Sequence, residues 1–234
     1  MKALKRKTSL AGLLIIIGMI TGVFSISSVV DSPDYLTEAA SNANQVIIST
    51  IFQFILLLTY LAFAILLFPL IKRFNNGLSI GFLSFRILTS AILAFGTIIL
   101  MSILALSQEF VKNASESILI FEALGNVLKT TRDYINHVFM VLTLGIGNLL
   151  LYLLFLKSKL IPKWLSVWGI LGTVLSVFAS LLLLFQVVEV ITPQYLILNA
   201  PTAILELILG FWLIIKGFNE VYDSESSANN LQTN

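Results

Sequence analysis

Along this chain the apolar positions come in long unbroken runs and the polar ones in short clusters between them. Runs near the ~20 residues a helix needs to cross hydrocarbon recur six times, at residues 10–30, 46–71, 78–106, 134–156, 164–187 and 196–215. Continuous runs of this length predict helices, because a barrel strand alternates apolar and polar positions. Several exceed the minimum, which predicts tilt or extension past the bilayer. The expected fold is an all-α, polytopic bundle of six transmembrane helices.

The polar clusters orient that bundle. Lys2, Lys5, Arg6 and Lys7 precede the first run, and Lys72 and Arg73 follow the second. Lys157, Lys159 and Lys163 separate the fourth and fifth, and Lys216 closes the sixth, so ten of the fourteen basic residues lie on one side. The other side holds Lys112, Lys129 and Arg132, and Arg86 is inside a run. By the positive-inside rule both termini face the cytoplasm. The chain then divides into a basic cytoplasmic start at 1–9, a six-span membrane domain at 10–218 and a disordered polar tail at 219–234. The first run is longer than a signal-peptide core and no A-x-A site follows, so it is read as a retained anchor. The implied location is the bacterial cytoplasmic membrane.

Two outer segments carry structure of their own. Ser32 is placed to cap a helix that starts at Pro33, has Asp34 near its positive end and runs into the second span. In the outer segment 107–133, Ile118, Phe121, Leu124, Val127 and Leu128 recur at helical spacing. They predict an amphipathic helix that lies on the outer membrane surface or caps the bundle. Asn113-Ala-Ser115 fits a glycosylation sequon formally and is read as chance in a bacterial-looking chain.

Composition narrows the possible chemistry. The chain has 234 residues, 58% hydrophobic and 11% charged, with a mean hydropathy of +0.98. Soluble domains carry about 25% charged residues, so the solvent for most of this chain is lipid. A net charge of +2 argues against nucleic acid as a partner. The absence of cysteine excludes disulfides, thiolate metal sites and cysteine catalysis. The partner implied is the bilayer. No cofactor or metal is called for, and no substrate, protein partner or oligomeric state is written in the chain.

One constellation stands out. Arg86 lies inside a run that otherwise has no charge, and a buried guanidinium costs several kcal/mol. Glu206 is the one carboxylate well inside a run. At 1.5 Å per residue it lies roughly 15 Å from the inner anchor Lys216, and Arg86 lies roughly 12 Å from the start of its run. Asn148 falls at the same level, counted from Lys157. The three predict a buried polar layer with Arg86 and Glu206 in salt-bridge contact and Asn148 beside them, serving either as a structural pin between helices or as a binding site. His137, the one histidine, sits a turn inside the outer end of its run as a possible outer-face polar site. With no second histidine and no HExxH, no metal site and no catalytic residue is assigned. Gly18 and Gly22 form a GxxxG that permits close helix packing.

Several segments together resemble a known family: KRKTSLAGLLIIIGMITGVFS, FRILTS, the histidine opening the fourth span, the hairpin LYLLFLKSKLIPKWLSVWGILG and the close ELILGFWLIIKG. The chain resembles, over about residues 5–217, the bacterial integral-membrane family known as domain of unknown function 4386. The hairpin is the most specific element, with Ser158, Pro162, Lys163, Leu165, Gly169 and Gly172 at family-like positions. Arg86, His137 and Glu206 also look like favoured positions. In the family the arginine is often followed by an acidic residue. Thr89 and Ser90 follow here, which leaves Glu206 as the implied partner. The resemblance implies a small six-span membrane protein and supplies no activity.

Three functions from different classes stay open. The first is a non-enzymatic membrane component or partner of another complex, in keeping with a chain that has no nucleotide motif. The second is a small transporter or channel built on the Arg86/Asn148/Glu206 layer, for which an inverted three-plus-three repeat is topologically possible. The third is an intramembrane enzyme using His137 and Glu206, which the different depths of the two residues disfavour.

Overall fold

In lipid every backbone polar group has to be satisfied within its own segment, and each apolar run accordingly becomes a helix. The computed structural model describes residues 2–113, 118–190 and 192–219. Of the tail expected at 219–234, residues 220–234 lie outside them, as does the Ser115 end of the sequon. Nine α-helices are described: α1 Lys2–Phe24, α2 Ser28–Asp31, α3 Tyr35–Ser41, α4 Ala43–Ile71, α5 Asn76–Lys112, α6 Ile118–Asp133, α7 Met140–Ser158, α8 Lys163–Leu184 and α9 Pro193–Ile215. A π-helical segment, Tyr134–Phe139, joins α6 to α7 without a break. No strand occurs among the described residues. Six stretches are long and apolar enough to cross a membrane: Leu4–Phe24, Ala43–Ile71, Asn76–Lys112, Ile118–Ser158, Lys163–Leu184 and Pro193–Ile215.

Local chemistry sets the ends. The Asn75 side chain accepts from the Leu78 amide and opens α5. Lys159, in the left-handed region at φ 57°, closes α7. Pro193 begins α9, where a missing amide proton costs nothing.

The six spanning elements form a closed ring in chain order. α1 packs on α4, α4 on α5, α5 on α7, α7 on α8, α8 on α9, and α9 returns to α1. Both chain ends meet on one side: Lys5 Nζ donates to the Ile215 carbonyl, and Asn219 bonds back to the carbonyls of Lys159 and Leu160. Asn219 is therefore docked, although the polar tail was expected to begin there. On this terminal side the core is continuous and apolar, with Leu67, Ile71, Phe82, Leu154, Phe155 and Leu165 fully buried.

The far side departs from the sequence-based expectation. α5 has 37 residues, about 55 Å of helix against the ~30 Å of a hydrocarbon core. Its distal end stands with α6, which continues into α7 rather than forming a separate surface segment. Phe121 and Leu128 pack against a cluster built by α2, α3 and the distal end of α5. Ile118, Leu124 and Val127 are exposed. Ser32 does not cap the next helix. It ends α2, while α3 starts at Tyr35 after Asp34 and breaks at Asn42 before α4. Arg132 ties this cap together through Asp31 and Asp133, and Lys129 lies over the Tyr35 ring. A Cβ on Gly125 would overlap the Tyr35 hydroxyl, so only glycine lets α6 close on that ring. Burial, and secondarily the Glu122 carboxylate, push the Tyr35 phenol above its usual range.

Candidate functional site

Helical spacing gathers the polar residues onto inward faces. On α5, Arg86 follows Phe82 by four residues; on α4, Phe63 follows Tyr60 by three; on α7, Tyr152 follows Asn148 by four. Each pair shares a helix face. Tyr60, Phe63, Arg86, Asn148 and Tyr152, with Glu206 of α9 and the Gly18 side of α1, surround a cavity of about 130 Å³ inside the ring, large enough for a few waters or one small polar group. Arg86, Asn148 and Glu206, separated by as many as 120 positions in sequence, all line it.

Arg86 is 5% exposed and held on several sides. Its Nη2 donates to Asn148 Oδ1 at 2.6 Å, a short, charge-assisted bond. The rings of Tyr60, Phe63 and Phe82 lie 5.3, 5.4 and 5.5 Å from the guanidinium carbon. Their negative faces attract the cation where water does not solvate it. Its Nε is buried without a hydrogen-bond partner. Ser90 ties the backbone here, its hydroxyl donating to the carbonyls of Arg86 and Leu57.

The expected salt bridge is not formed. Arg86 and Glu206 line the same cavity, but no ion pair links them among the described residues. Asn148 and the three rings occupy the guanidinium, and the cavity lies between it and the carboxylate. Among the described residues the Glu206 carboxylate and the hydroxyls of Tyr60 and Tyr152 make no hydrogen bond within the protein. The site thus presents a positive wall, a negative wall and two free hydroxyls to one small space.

His137 is elsewhere. It belongs to the π-helical segment, where its ring meets the edge of Tyr195 at a centroid distance of 6.1 Å and its carbonyl accepts from Ser180. It does not line the cavity, so His137 and Glu206 are not brought together. Among the described residues no group of three or more histidine, aspartate or glutamate side chains is placed to hold a metal ion. Of the GxxxG pair, Gly18 packs closely on α4, where a Cβ would lie 3.2 Å from the Thr59 hydroxyl, while Gly22 sits one turn further along the cavity wall with its nearest neighbour at 3.9 Å. The tighter crossing is made by Gly12, where a Cβ would overlap the Gly210 carbonyl of α9.

The family model described as Domain of unknown function (DUF4386) matches residues 10–217. The chain belongs to this family. No curated protein and no solved structure matches it. This DUF4386 member is therefore a multi-pass membrane protein, and its family-like hairpin has a local role in the cavity. Gly169 leaves room for the Tyr152 ring, which a Cβ would overlap, and so holds that ring in the cavity wall. Gly172 admits Thr202 of α9 in the same way.

Sequence reasoning missed Tyr60, Tyr152 and the aromatic cage. For Tyr60 a signal existed: tyrosines in membrane proteins concentrate at the interfaces, whereas it lies deep inside an apolar run; Tyr152, five residues before Lys157, carried none. Phe63 and Phe82 carried none, since phenylalanine is ordinary in any span.

Proposed function

We propose that the protein is a non-enzymatic component of the bacterial cytoplasmic membrane, with both termini in the cytoplasm, that holds a small zwitterionic group in its central cavity. The supporting observation is that Arg86 and Glu206 line the same cavity without forming an ion pair among the described residues. Opposite charges buried close together normally pair, since separation in a low dielectric is costly. A ligand with one anionic and one cationic group satisfies both at once. Its anion meets the free edge of Arg86, and its cation meets Glu206 and the ring faces of Tyr60 and Tyr152. Residence or passage of such a group corresponds to the transporter-like reading of the polar layer. The distribution of lysine and arginine supports the orientation.

Equilibrium binding of phosphoethanolamine and glycine betaine to the purified chain tests this reading. Binding that Arg86→Gln and Glu206→Gln each weaken about tenfold or more, the equivalent of one charged contact, supports it. Binding unaffected by either variant, or no binding, removes it.

A second reading rests on a different feature. Leu119, Ile120, Leu124 and Val127 expose an apolar face on α6, which suits a protein partner in a larger membrane complex. Co-purification of a defined partner that is lost on Leu119→Ser with Ile120→Ser favours it.

A further inference from the structure

Along the axis of the ring the cavity is closed at both ends. On the cytoplasmic side lies the continuous core around Phe82, Leu154 and Phe155. On the outer side Leu56, Leu57 and Leu93 are buried together, with Met140 against them. A solute has no route along the axis past either plug.

The flank between α1 and α9 is different. The hydrogen bonds and glycine contacts between these helices all use the cytoplasmic half of α1: Lys5 and Ser9 bond to the carbonyls of Ile215 and Ile214, Gly12 meets Gly210, and Ile16 meets Gly210. Beyond that point α1 leans on α4 instead. Gly18 faces Thr59, Phe24 stacks on Phe52 at 5.1 Å, and Ser49 bonds to the Ile26 carbonyl. The outer half of α9 turns toward α8, through Thr202 on Ser176, and toward the π-helical segment, through Tyr195 on His137. Above the glycine crossing no hydrogen bond and no glycine contact joins the two helices among the described residues. The cavity wall follows α1 into this region, through Met19 to Gly22. Gly22 has open space around it, its nearest neighbour being a Leu56 methyl 3.9 Å from a would-be Cβ.

We infer that the cavity opens sideways into the outer leaflet through the seam between the outer halves of α1 and α9, and that its ligand is the zwitterionic headgroup of a membrane amphiphile whose chain remains in the lipid. This rests on the zwitterion reading above and adds the source of the ligand and its route. The volume agrees: about 130 Å³ accommodates a small polar headgroup. The seam is bordered by apolar side chains exposed on both helices, among them Ile20 and Val23 on α1 and Ile204 on α9. Those side chains suit an acyl chain and would repel a free solute's water shell.

The test compares thermal unfolding of the full chain in one detergent with lysophosphatidylethanolamine, with phosphoethanolamine or with neither. Lysophosphatidylethanolamine at a hundredfold excess over its Kd should raise the unfolding temperature by roughly 5–10 °C. The rise should vanish in Gly22→Leu, which places a bulky side chain where a Cβ has room, and in Arg86→Gln. Equal stabilisation by lysophosphatidylethanolamine in wild type and Gly22→Leu would overturn the lateral route while leaving the zwitterion site standing. Stabilisation by phosphoethanolamine alone would overturn the lipid source. No stabilisation by either compound would overturn the binding reading and this inference with it. A measurement independent of the filled seam uses Gly22→Cys, a single thiol in a chain that has none. A fluorophore placed there should be quenched by a nitroxide on a lipid chain and not by aqueous iodide. Quenching by iodide alone would mean that the seam is water-filled and would overturn the lipid route.

Discussion

Arg86 donates to the amide oxygen of Asn148 at 2.6 Å and does not touch the one carboxylate that shares its cavity. A buried cation is held here by a neutral acceptor and three aromatic rings, and the anion is left facing the cavity. The order of importance among the polar residues follows from this arrangement.

Replacing Asn148 by leucine should cost more stability than replacing Glu206 by glutamine. The first substitution removes a hydrogen bond to a charged group, worth about 1.5–3 kcal/mol. The second removes a carboxylate that makes no hydrogen bond within the protein. Unfolding of both variants in one detergent gives the order directly, and a costlier Glu206→Gln would contradict the geometry.

Exchanging the charges, Arg86→Glu with Glu206→Arg, should give no recovery over the sum of the single variants. A carboxylate at position 86 would meet the negative faces of Tyr60, Phe63 and Phe82, and an arginine at 206 would lack the Asn148 acceptor. The two residues line one cavity and so are coupled, but the double variant should be no more stable than the sum of the single losses implies, because neither new side chain finds a partner. Partial rescue would mean that the two side chains pair directly in solution.

The glycines should differ sharply. Gly12→Val drives a side chain into the Gly210 backbone and should destabilise the protein by about 1–3 kcal/mol as overpacking does. Gly22→Ala, whose new methyl has room, should stay within about 0.5 kcal/mol. Similar losses at both positions would mean that α1 and α9 do not cross where the structure puts the crossing.

On the outer cap, Arg132→Gln should loosen α2 and α3 while leaving the ring intact. Arg132 is buried and contacts Asp31 and Asp133, so its loss leaves two partly buried carboxylates uncompensated. Hydrogen exchange over residues 28–41 should accelerate, with exchange in α8 unchanged. Unchanged exchange over 28–41 would show that the cap is held by its apolar cluster alone.

Reporter fusions check the orientation. Fusions after Asn75, after Pro162 and after Lys216 should report cytoplasm, and fusions near Ser41 and Gly125 should report the opposite side. A cytoplasmic signal at Gly125 would break the six-span arrangement.

The number and type of the spans, and the layer that contains Arg86, Asn148 and Glu206, were legible in the sequence. Lipid as solvent allows long apolar helices and little else, and a rise of 1.5 Å per residue converts position into depth. Azimuth was not legible. Whether Arg86 at a given depth meets Asn148, Glu206 or a ring depends on how each helix is rotated about its axis. That rotation is set by contacts between distant residues: Gly147 lets α7 settle against Phe85, Gly96 leaves room for Asn136, and Gly12 meets Gly210. Such contacts leave no period in the sequence, because a glycine reads the same whether it faces lipid or a neighbouring helix. The cavity has the same origin. Its wall is assembled from α1, α4, α5, α7 and α9, and only the packing of the whole ring decides that.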